Sequence, residues 1–186
     1  GSAFNASGTA TDALTGVTLV EYSLDGTNWS SATGTVSWNT TLDLAAIGEG
    51  SQVFYVRASD NAGNTSTPVT RDFGIDQNIP DLAETGINQT SAYQSADYTL
   101  SGTASDTNKL LDDSGIDYIT LSINGGASQN IDVTAGSWSY DVTVDTVGHT
   151  DDGEYEYIFT AADVAGKYRQ VTRIITVDTS APTAEI

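Results

Sequence analysis

Short runs of β-branched and aromatic residues occur along the whole chain, separated by segments rich in Gly, Asn, Asp and Ser. Runs of this kind, bounded by turn-forming residues, are typical of β-strands. They predict strands at residues 17–22, 53–58, 69–75, 117–123, 155–161 and 170–177, and only residues 42–47 are compatible with a helical turn. Short strands with turn signals about every 8–12 residues predict an all-β sandwich fold.

Two dipeptides predict tight turns. Asp25-Gly26 follows the predicted strand at 17–22, and Asn124-Gly125 follows the predicted strand at 117–123. Both dipeptides favour hairpin turns in which the two central residues adopt positive φ. We therefore expect a hairpin at each place, with positive φ at Asp25 as well as at Asn124.

The same pattern occurs twice. Ser-Gly-Thr-Ala-Thr-Asp at 7–12 returns as Ser-Gly-Thr-Ala-Ser-Asp at 101–106, and Trp38 is in register with Trp138. A repeat of about a hundred residues is a whole domain rather than a solenoid unit, so both tryptophans are expected in cores. We predict one domain at 1–78, a second at 79–180 and the start of a following repeat at 181–186.

Two similar linkers mark these boundaries. Residues 76–80 and 178–182 each run from an aspartate to a proline, which ends a strand because it lacks a backbone donor. We expect the two domains to be arranged end to end across a short, stiff linker. The first domain has almost nothing before Ala6, so we expect it to lack the opening strand that the second has between Leu82 and Ala96.

The chain is strongly acidic and has no cysteine. It carries 25 acidic and 6 basic residues, a formal net charge of −19, which argues against nucleic acid and anionic membranes as partners and favours cations. No apolar run is long enough for a membrane span, so no membrane insertion is expected. Without cysteine there are no disulfides or thiolate sites, which indicates a bacterial surface or secreted protein, or an intracellular one.

Several motifs resemble one family. Ser-Gly-Thr-Ala-Ser-Asp at 101–106, Gly-Ser-Trp-Ser at 136–139, the run at 155–166 and Val-Asp-Thr-Ser-Ala-Pro at 177–182 are similar to tandem bacterial Ig-like repeats. Such repeats form the stalks of large bacterial surface adhesins. The resemblance covers nearly the whole chain, and it implies seven-stranded sandwiches, a location outside the cell and, in many members, calcium at domain junctions.

Oxygen-bearing side chains are expected to meet at the predicted junction. They come from the linker and from loops of both domains: Asp76, Asn78, Asp106, Asp112, Asp113, Asp163 and Glu49. Calcium takes oxygen ligands of these types, so we predict an interdomain calcium site. The alternative is that Asp60 and Asp163 only cap their turns through local hydrogen bonds.

A second acidic cluster lies near the end of the chain. Asp152 belongs to the run Asp-Asp-Gly-Glu at 151–154, and Asp178 opens the second linker. By the same geometry these two residues could form part of a second calcium site. The alternative is a solvated turn around Gly153.

The sequence contains no motif that indicates catalysis. His149 is the only histidine and lies in a polar segment, and the chain has neither a nucleophile elbow nor a phosphate-binding glycine loop. Trp29 has no counterpart in the second repeat. An exposed Trp29 could stack on a sugar, but partial packing at a sheet edge is the stronger expectation.

The expected function is therefore a non-enzymatic spacer in the stalk of a cell-surface adhesin. Its partners are neighbouring repeats of the same chain, and other domains contact the host surface or a glycan. Two alternatives remain open: an Ig-like module that itself binds a glycan or host protein, and an accessory spacer of a secreted polysaccharide-degrading enzyme.

Overall fold

A computed structural model describes residues 3–87, 91–106 and 115–186. Within these residues the chain is all-β, and one 3-10 turn, Leu44–Ala46, lies inside the segment predicted to be compatible with a helical turn. The described residues divide into two compact units, one ending at Asp76 and one beginning at Gln77. The sequence predicted this change of domain after Asn78.

The first unit is built from two sheets. Its strands are β1 (Ala3–Thr9), β2 (Val17–Ser23), β3 (Ser30–Ser31), β4 (Ser37–Asp43), β5 (Gly50–Asp60) and β6 (Val69–Ile75). β1 and β4 form an antiparallel pair, and the other sheet has the order β3-β2-β5-β6. Apolar side chains from both sheets form the core around Val20, Trp38, Leu42 and Phe54.

The second unit is larger and has two fuller sheets. Its strands are β7 (Asp81–Glu84), β8 (Ser91–Gln94), β9 (Tyr98–Ser105), β10 (Ile116–Ile123), β11 (Gln129–Ile131), β12 (Val133–Thr134), β13 (Ser137–Val142), β14 (Gly153–Asp163) and β15 (Tyr168–Val177). The sheet orders are β12-β13-β9-β7 and β11-β10-β14-β15-β8. Leu100, Ile119, Leu121, Phe159 and Ile175 are completely buried between them.

Both tryptophans predicted to be core residues are buried. Trp38 is 8% exposed and Trp138 is 3% exposed. The Trp138 ring lies 4.4 Å from the Phe159 ring, measured between centroids. A glycine lies over each indole because there is no room for a Cβ: one built on Gly102 would lie 2.6 Å from Trp138 and 1.9 Å from the Ala83 carbonyl oxygen.

The two units share a common set of strands. β1 pairs with β4 as β9 pairs with β13, and β2-β5-β6 matches β10-β14-β15. The second unit adds β7, antiparallel to β9, and β8, parallel to β15. Among the described residues of the first unit, no strand occupies either of these two places.

One of the two turn predictions is wrong. Asn124 and Gly125 both have positive φ, 51° and 68°, as expected for a type I′ turn. At the other turn only Gly26 has positive φ. Asp25 instead accepts backbone hydrogen bonds from Thr27 and Asn28 through Oδ1, at 2.8 and 2.7 Å, so its side chain organises a longer loop.

Candidate metal centre

Three carboxylates, those of Asp76, Asp106 and Asp163, form one cluster. Asp106 follows β9, Asp163 ends β14, and Asp76 directly precedes Gln77. One carboxylate oxygen from each residue lies within 4.8 Å of the others. Among the residues that the structure describes, this is the one such group of three or more metal-ligating side chains. All three residues were predicted as calcium ligands from the sequence.

The turn between β14 and β15 holds the Asp163 carboxylate in place. Its Oδ1 accepts the backbone N–H of Lys167 at 2.8 Å, and its backbone carbonyl accepts the N–H of Gly166 at 3.1 Å. The residue is only 2% exposed. Its second oxygen, Oδ2, is buried and has no hydrogen-bond partner within the described part of the chain. A buried carboxylate oxygen in this state is costly unless a cation binds it.

The cluster has the dimensions of a calcium site. Calcium binds oxygen ligands at about 2.3–2.6 Å, so two ligands of one ion can lie at most about 5.2 Å apart. The separations in the cluster fall within this limit. The Oδ2 atoms of Asp76 and Asp106 are buried, like that of Asp163. The donors are all carboxylates, the ligands that hard divalent cations prefer.

The equivalent aspartate of the first unit has a different environment. Asp60 Oδ1 accepts the backbone N–H groups of Ala62 and Asn64, at 2.8 and 2.9 Å, and Oδ2 accepts Asn64 Nδ2 at 2.9 Å. The Asn64 side chain and then its backbone hold the pKa of Asp60 below its usual value. Lys167 takes the place of Asn64 in the second unit and donates only its backbone N–H to Asp163. Hydrogen bonds within the turn therefore occupy both carboxylate oxygens of Asp60 but only one carboxylate oxygen of Asp163.

Among the other predicted ligands of the interdomain site, Glu49 does not belong to the carboxylate group. Glu49 is exposed in the segment before β5, and Asn78 is exposed in the linker. Asp112 and Asp113 lie outside the described residues.

At the end of the second unit, Asp152 accepts hydrogen bonds from residues of the linker that follows β15. Its Oδ1 accepts the backbone N–H and the hydroxyl of Thr179, at 2.8 and 2.7 Å, and its Oδ2 accepts the Ser180 hydroxyl at 2.8 Å. Thr179 is thus the main cause of the lowered pKa of Asp152. Asp178 accepts the Ser180 backbone N–H at 3.1 Å. Within the described residues, neither aspartate belongs to a group of three metal-ligating side chains.

One face of the Trp29 ring is covered. The guanidinium of Arg57 lies over it, 4.0 Å from the ring centroid. Arg57 is fixed in turn by an ion pair with Glu21, whose Oε2 lies 2.8 Å from Nη2. Trp29 is half-buried, in accord with partial packing at the sheet.

Comparison with known proteins identifies structural rather than sequence relatives. No family model matches the chain. No curated protein matches it either. Among solved structures, the fibronectin(III)-like modules of Clostridium thermocellum CbhA are similar at 19% identity, over 94% of this chain and 85% of that one, with a TM-score of 0.51. This likeness shows the fold: the units are Ig/fibronectin-III-like β-sandwiches.

Two bacterial adhesin structures also match. A 1.5-MDa bacterial ice-binding adhesin is 25% identical over 95% of this chain and 58% of that one, with a TM-score of 0.42. A calcium-stabilised adhesin of an Antarctic bacterium is 25% identical over 95% of this chain and 44% of that one, with a TM-score of 0.39. Both TM-scores are below 0.5. The described residues contain no helix long and apolar enough to cross a membrane.

Proposed function

We propose that the chain forms structural, non-catalytic spacer repeats of a bacterial cell-surface adhesin, and that calcium bound by Asp76, Asp106 and Asp163 stabilises the second unit. In this role it lies outside the cell, its partners are neighbouring repeats of the same chain, and other domains contact the host surface or a glycan. The observation that carries the calcium proposal is the buried Oδ2 of Asp163 within a group of three carboxylates.

Fold and charge support a spacer role. Each unit is a sandwich with its own core, which suits a module repeated for length. The net charge of −19 makes copies repel one another, which keeps an acidic array soluble and extended. When calcium is bound, its charge offsets the repulsion among the three carboxylates.

The alternative functions have less support. A glycan platform at Trp29 could use only the ring face that Arg57 leaves uncovered. An accessory spacer of a polysaccharide-degrading enzyme would use the same sandwiches, and it differs in requiring a catalytic domain in the same polypeptide. The sequence of the complete gene product distinguishes that alternative from an adhesin stalk.

A calcium titration of the ¹⁵N-labelled chain, followed by NMR, tests the metal site. We expect saturable shifts at the amides of Asp106 and Asp163, with a Kd of about 10⁻⁴–10⁻³ M, the range of extracellular calcium modules. Asp163→Asn should abolish these shifts. The matched control Asp60→Asn changes the equivalent turn of the first unit and should leave them intact. Shifts that are absent, or that persist in Asp163→Asn, would contradict the site.

A further inference from the structure

The outer face of the five-stranded sheet in the second unit carries two exposed tyrosines. Tyr118 of β10 and Tyr168 of β15 are each paired with Ala162 of β14, one on either side of it. Directly paired residues share a face of a sheet, and this face is the outer one because the next residue, Ile119, lies in the core. Tyr118 is 47% exposed and Tyr168 is 62% exposed, whereas Ala162 is 3% exposed. The two tyrosines therefore flank a small buried side chain on an open surface.

The spacing of the two tyrosines suits a chain of sugar rings. Neighbouring strands of a sheet are about 4.8 Å apart, so the Cα atoms of Tyr118 and Tyr168 are about 9.5 Å apart. This distance is comparable to one disaccharide unit of an extended sugar chain. A tyrosine offers an apolar ring face together with a polar hydroxyl, and the C–H face of a sugar ring packs on such a ring. Two tyrosines at this distance can contact alternate rings of one extended chain.

A row of hydroxyl and amide side chains runs beside the tyrosines across four strands. Strand pairing brings into one register Asn130, Thr120, Thr160 and Gln170. Gln170 Nε2 donates to Thr160 Oγ1 at 2.9 Å, which leaves the hydroxyl hydrogen of Thr160 free to bind another acceptor. Tyr118 and part of this row line an open depression of about 480 Å³. The face thus offers hydrogen-bonding groups next to aromatic rings.

Neither the two tyrosines nor the polar row beside them includes a charged side chain. The chain as a whole has a net charge of −19, so its field repels an anionic ligand, and the face has no cation to offset that repulsion. A purely apolar ligand would leave the hydroxyl and amide groups of the row without hydrogen bonds, which is costly. The charge and polarity of the face therefore match a neutral ligand that carries both hydroxyl groups and apolar surface.

The first unit has a different surface at the equivalent place. Its β2 and β5 bring Glu21 opposite Arg57, where β10 and β14 of the second unit bring two threonines together. Glu21 and Arg57 form an ion pair, and Trp29 packs on the guanidinium. Leu19 takes the place of Tyr118. The uncharged, tyrosine-bearing face is therefore specific to the second unit, and the shared set of strands does not require it.

We propose that the outer face of β10, β14 and β15 is a binding site for an extended, neutral oligosaccharide. The sugar rings pack on Tyr118 and Tyr168, and their hydroxyl groups form hydrogen bonds with Thr120, Thr160 and Gln170. The rings provide most of the affinity, and the polar row with its lack of charge provides the selectivity for a neutral sugar. This binding is additional to the spacer role and does not depend on the candidate metal centre.

The test is an NMR titration of the full ¹⁵N-labelled chain with cellohexaose, a neutral hexamer of β-1,4-linked glucose. We expect saturable shifts at the amides of Tyr118, Thr160 and Tyr168. Tyr118→Ala and Tyr168→Ala should each weaken binding roughly two- to tenfold, because each removes one aromatic contact. Tyr118→Phe keeps the ring and should bind nearly as well as the unchanged chain. Both tyrosines are exposed, so the variants should keep the amide spectrum of the folded chain.

Two controls separate this site from general stickiness of the surface. Tyr93→Ala removes an exposed tyrosine of β8, elsewhere on the same sheet, and should leave cellohexaose binding unchanged. The anionic hexamer of galacturonic acid should not bind, because the acidic chain repels it.

Three results would overturn the proposal: no saturable shift with cellohexaose, equal weakening by Tyr93→Ala and Tyr118→Ala, or binding of the galacturonic acid hexamer as tight as that of cellohexaose. It is also overturned if the chain alone dimerises and Tyr118→Ala abolishes the dimer, since the face would then be occupied by a second copy.

Discussion

The ion pair between Glu84 and Arg173 is expected to be a main contributor to the stability of the second unit. The Glu84 side chain is 0% exposed and that of Arg173 is 12% exposed. Arg173 Nε donates to Glu84 Oε2 at 2.7 Å, and Arg173 Nη2 donates to the Ile87 carbonyl at 2.6 Å. The Ile87 backbone N–H donates to Glu84 Oε1 at 2.9 Å. Both oxygens of the carboxylate are therefore occupied.

Glu84→Ala removes the carboxylate and leaves the nearly buried Arg173 guanidinium without a counter-charge, with the Ile87 carbonyl as its remaining hydrogen-bond acceptor. Removing one member of a buried ion pair costs about 3–5 kcal/mol of unfolding free energy. Arg173 is nearly buried, so little of this cost is recovered through water. Replacing both residues with methionine should cost less than either single change, because no charge is left uncompensated.

The assay is urea denaturation of the full chain followed by the NMR signal of the Trp138 indole N–H, which reports on the second unit. The matched control is Arg169→Ala, which breaks the exposed pair with Asp81, where Nη1 and Oδ1 are 3.5 Å apart. The two side chains of that pair are 43% and 74% exposed, so its loss should cost about 0–1 kcal/mol. If Glu84→Ala costs no more than Arg169→Ala, the assignment of a stabilising role to the buried pair is wrong.

Three further predictions concern backbone strain and titration. Gly34→Ala should destabilise the first unit by about 1–3 kcal/mol, because φ is +88° and the Cβ would lie 2.2 Å from the Ser37 carbonyl oxygen. Gly48→Ala, at φ +92° with nothing within 4 Å, is the control for the φ cost alone, and equal effects in urea denaturation would exclude a steric clash. The Asn28 backbone N–H, followed by the Asn28 side chain, lowers the pKa of Asp25 far below its usual value. The hydrogen bonds to the Asp25 carboxylate therefore stabilise the folded state fully above the pKa of the unfolded chain, and this stabilisation is lost as pH falls through the pKa of the folded state. An NMR titration should find Asp25 still ionised at about pH 3, and a midpoint near 4 would contradict this. Burial raises the pKa values of both Tyr98 and Tyr157, whose hydroxyls lie 2.7 Å apart, so their contribution is present below about pH 10 and lost above it. Tyrosinate absorbance should therefore show these two rings ionising only as the second unit unfolds, and ionisation with an ordinary pKa in the folded unit would contradict the effect of burial.

Much of the fold follows from local patterns. The β-branched and aromatic runs place β2, β5, β6, β10, β14 and β15 within a few residues of their observed bounds. The repeated tryptophans were predicted to be core residues, and both are buried. These features depend on residues that are near each other in the sequence or that occupy matching positions in the two repeats. Both kinds of pattern are visible in a single sequence.

Features that depend on contacts between distant residues could not be predicted. Asp25 was expected at positive φ, but its carboxylate accepts hydrogen bonds from Thr27 and Asn28 and changes the loop. Glu84 and Arg173 are 89 residues apart, and they come together only because β7 and β15, which belong to different sheets, pack against each other. Neither charge stands out in the sequence.

The candidate metal centre could be predicted from the sequence in part. Asp76, Asp106 and Asp163 were predicted from their places in loops and linker, and the structure brings their carboxylates together. The contrast between Asp60 and Asp163 was not predicted, because it depends on whether the Asn64 side chain reaches back to the carboxylate in its turn. Lys167, at the matching position, has no side-chain amide.

The most direct test of a calcium-stabilised structural repeat is the thermal unfolding of the second unit in saturating calcium and in EDTA, followed at Trp138. At a calcium concentration about a hundred times the Kd, binding should add about 2.7 kcal/mol to the stability of the folded unit. For a unit of this size that is an increase in Tm on the order of 10 °C. The increase should be lost in Asp163→Asn and kept in Asp60→Asn. Equal Tm values in calcium and EDTA for the unchanged chain would contradict the account.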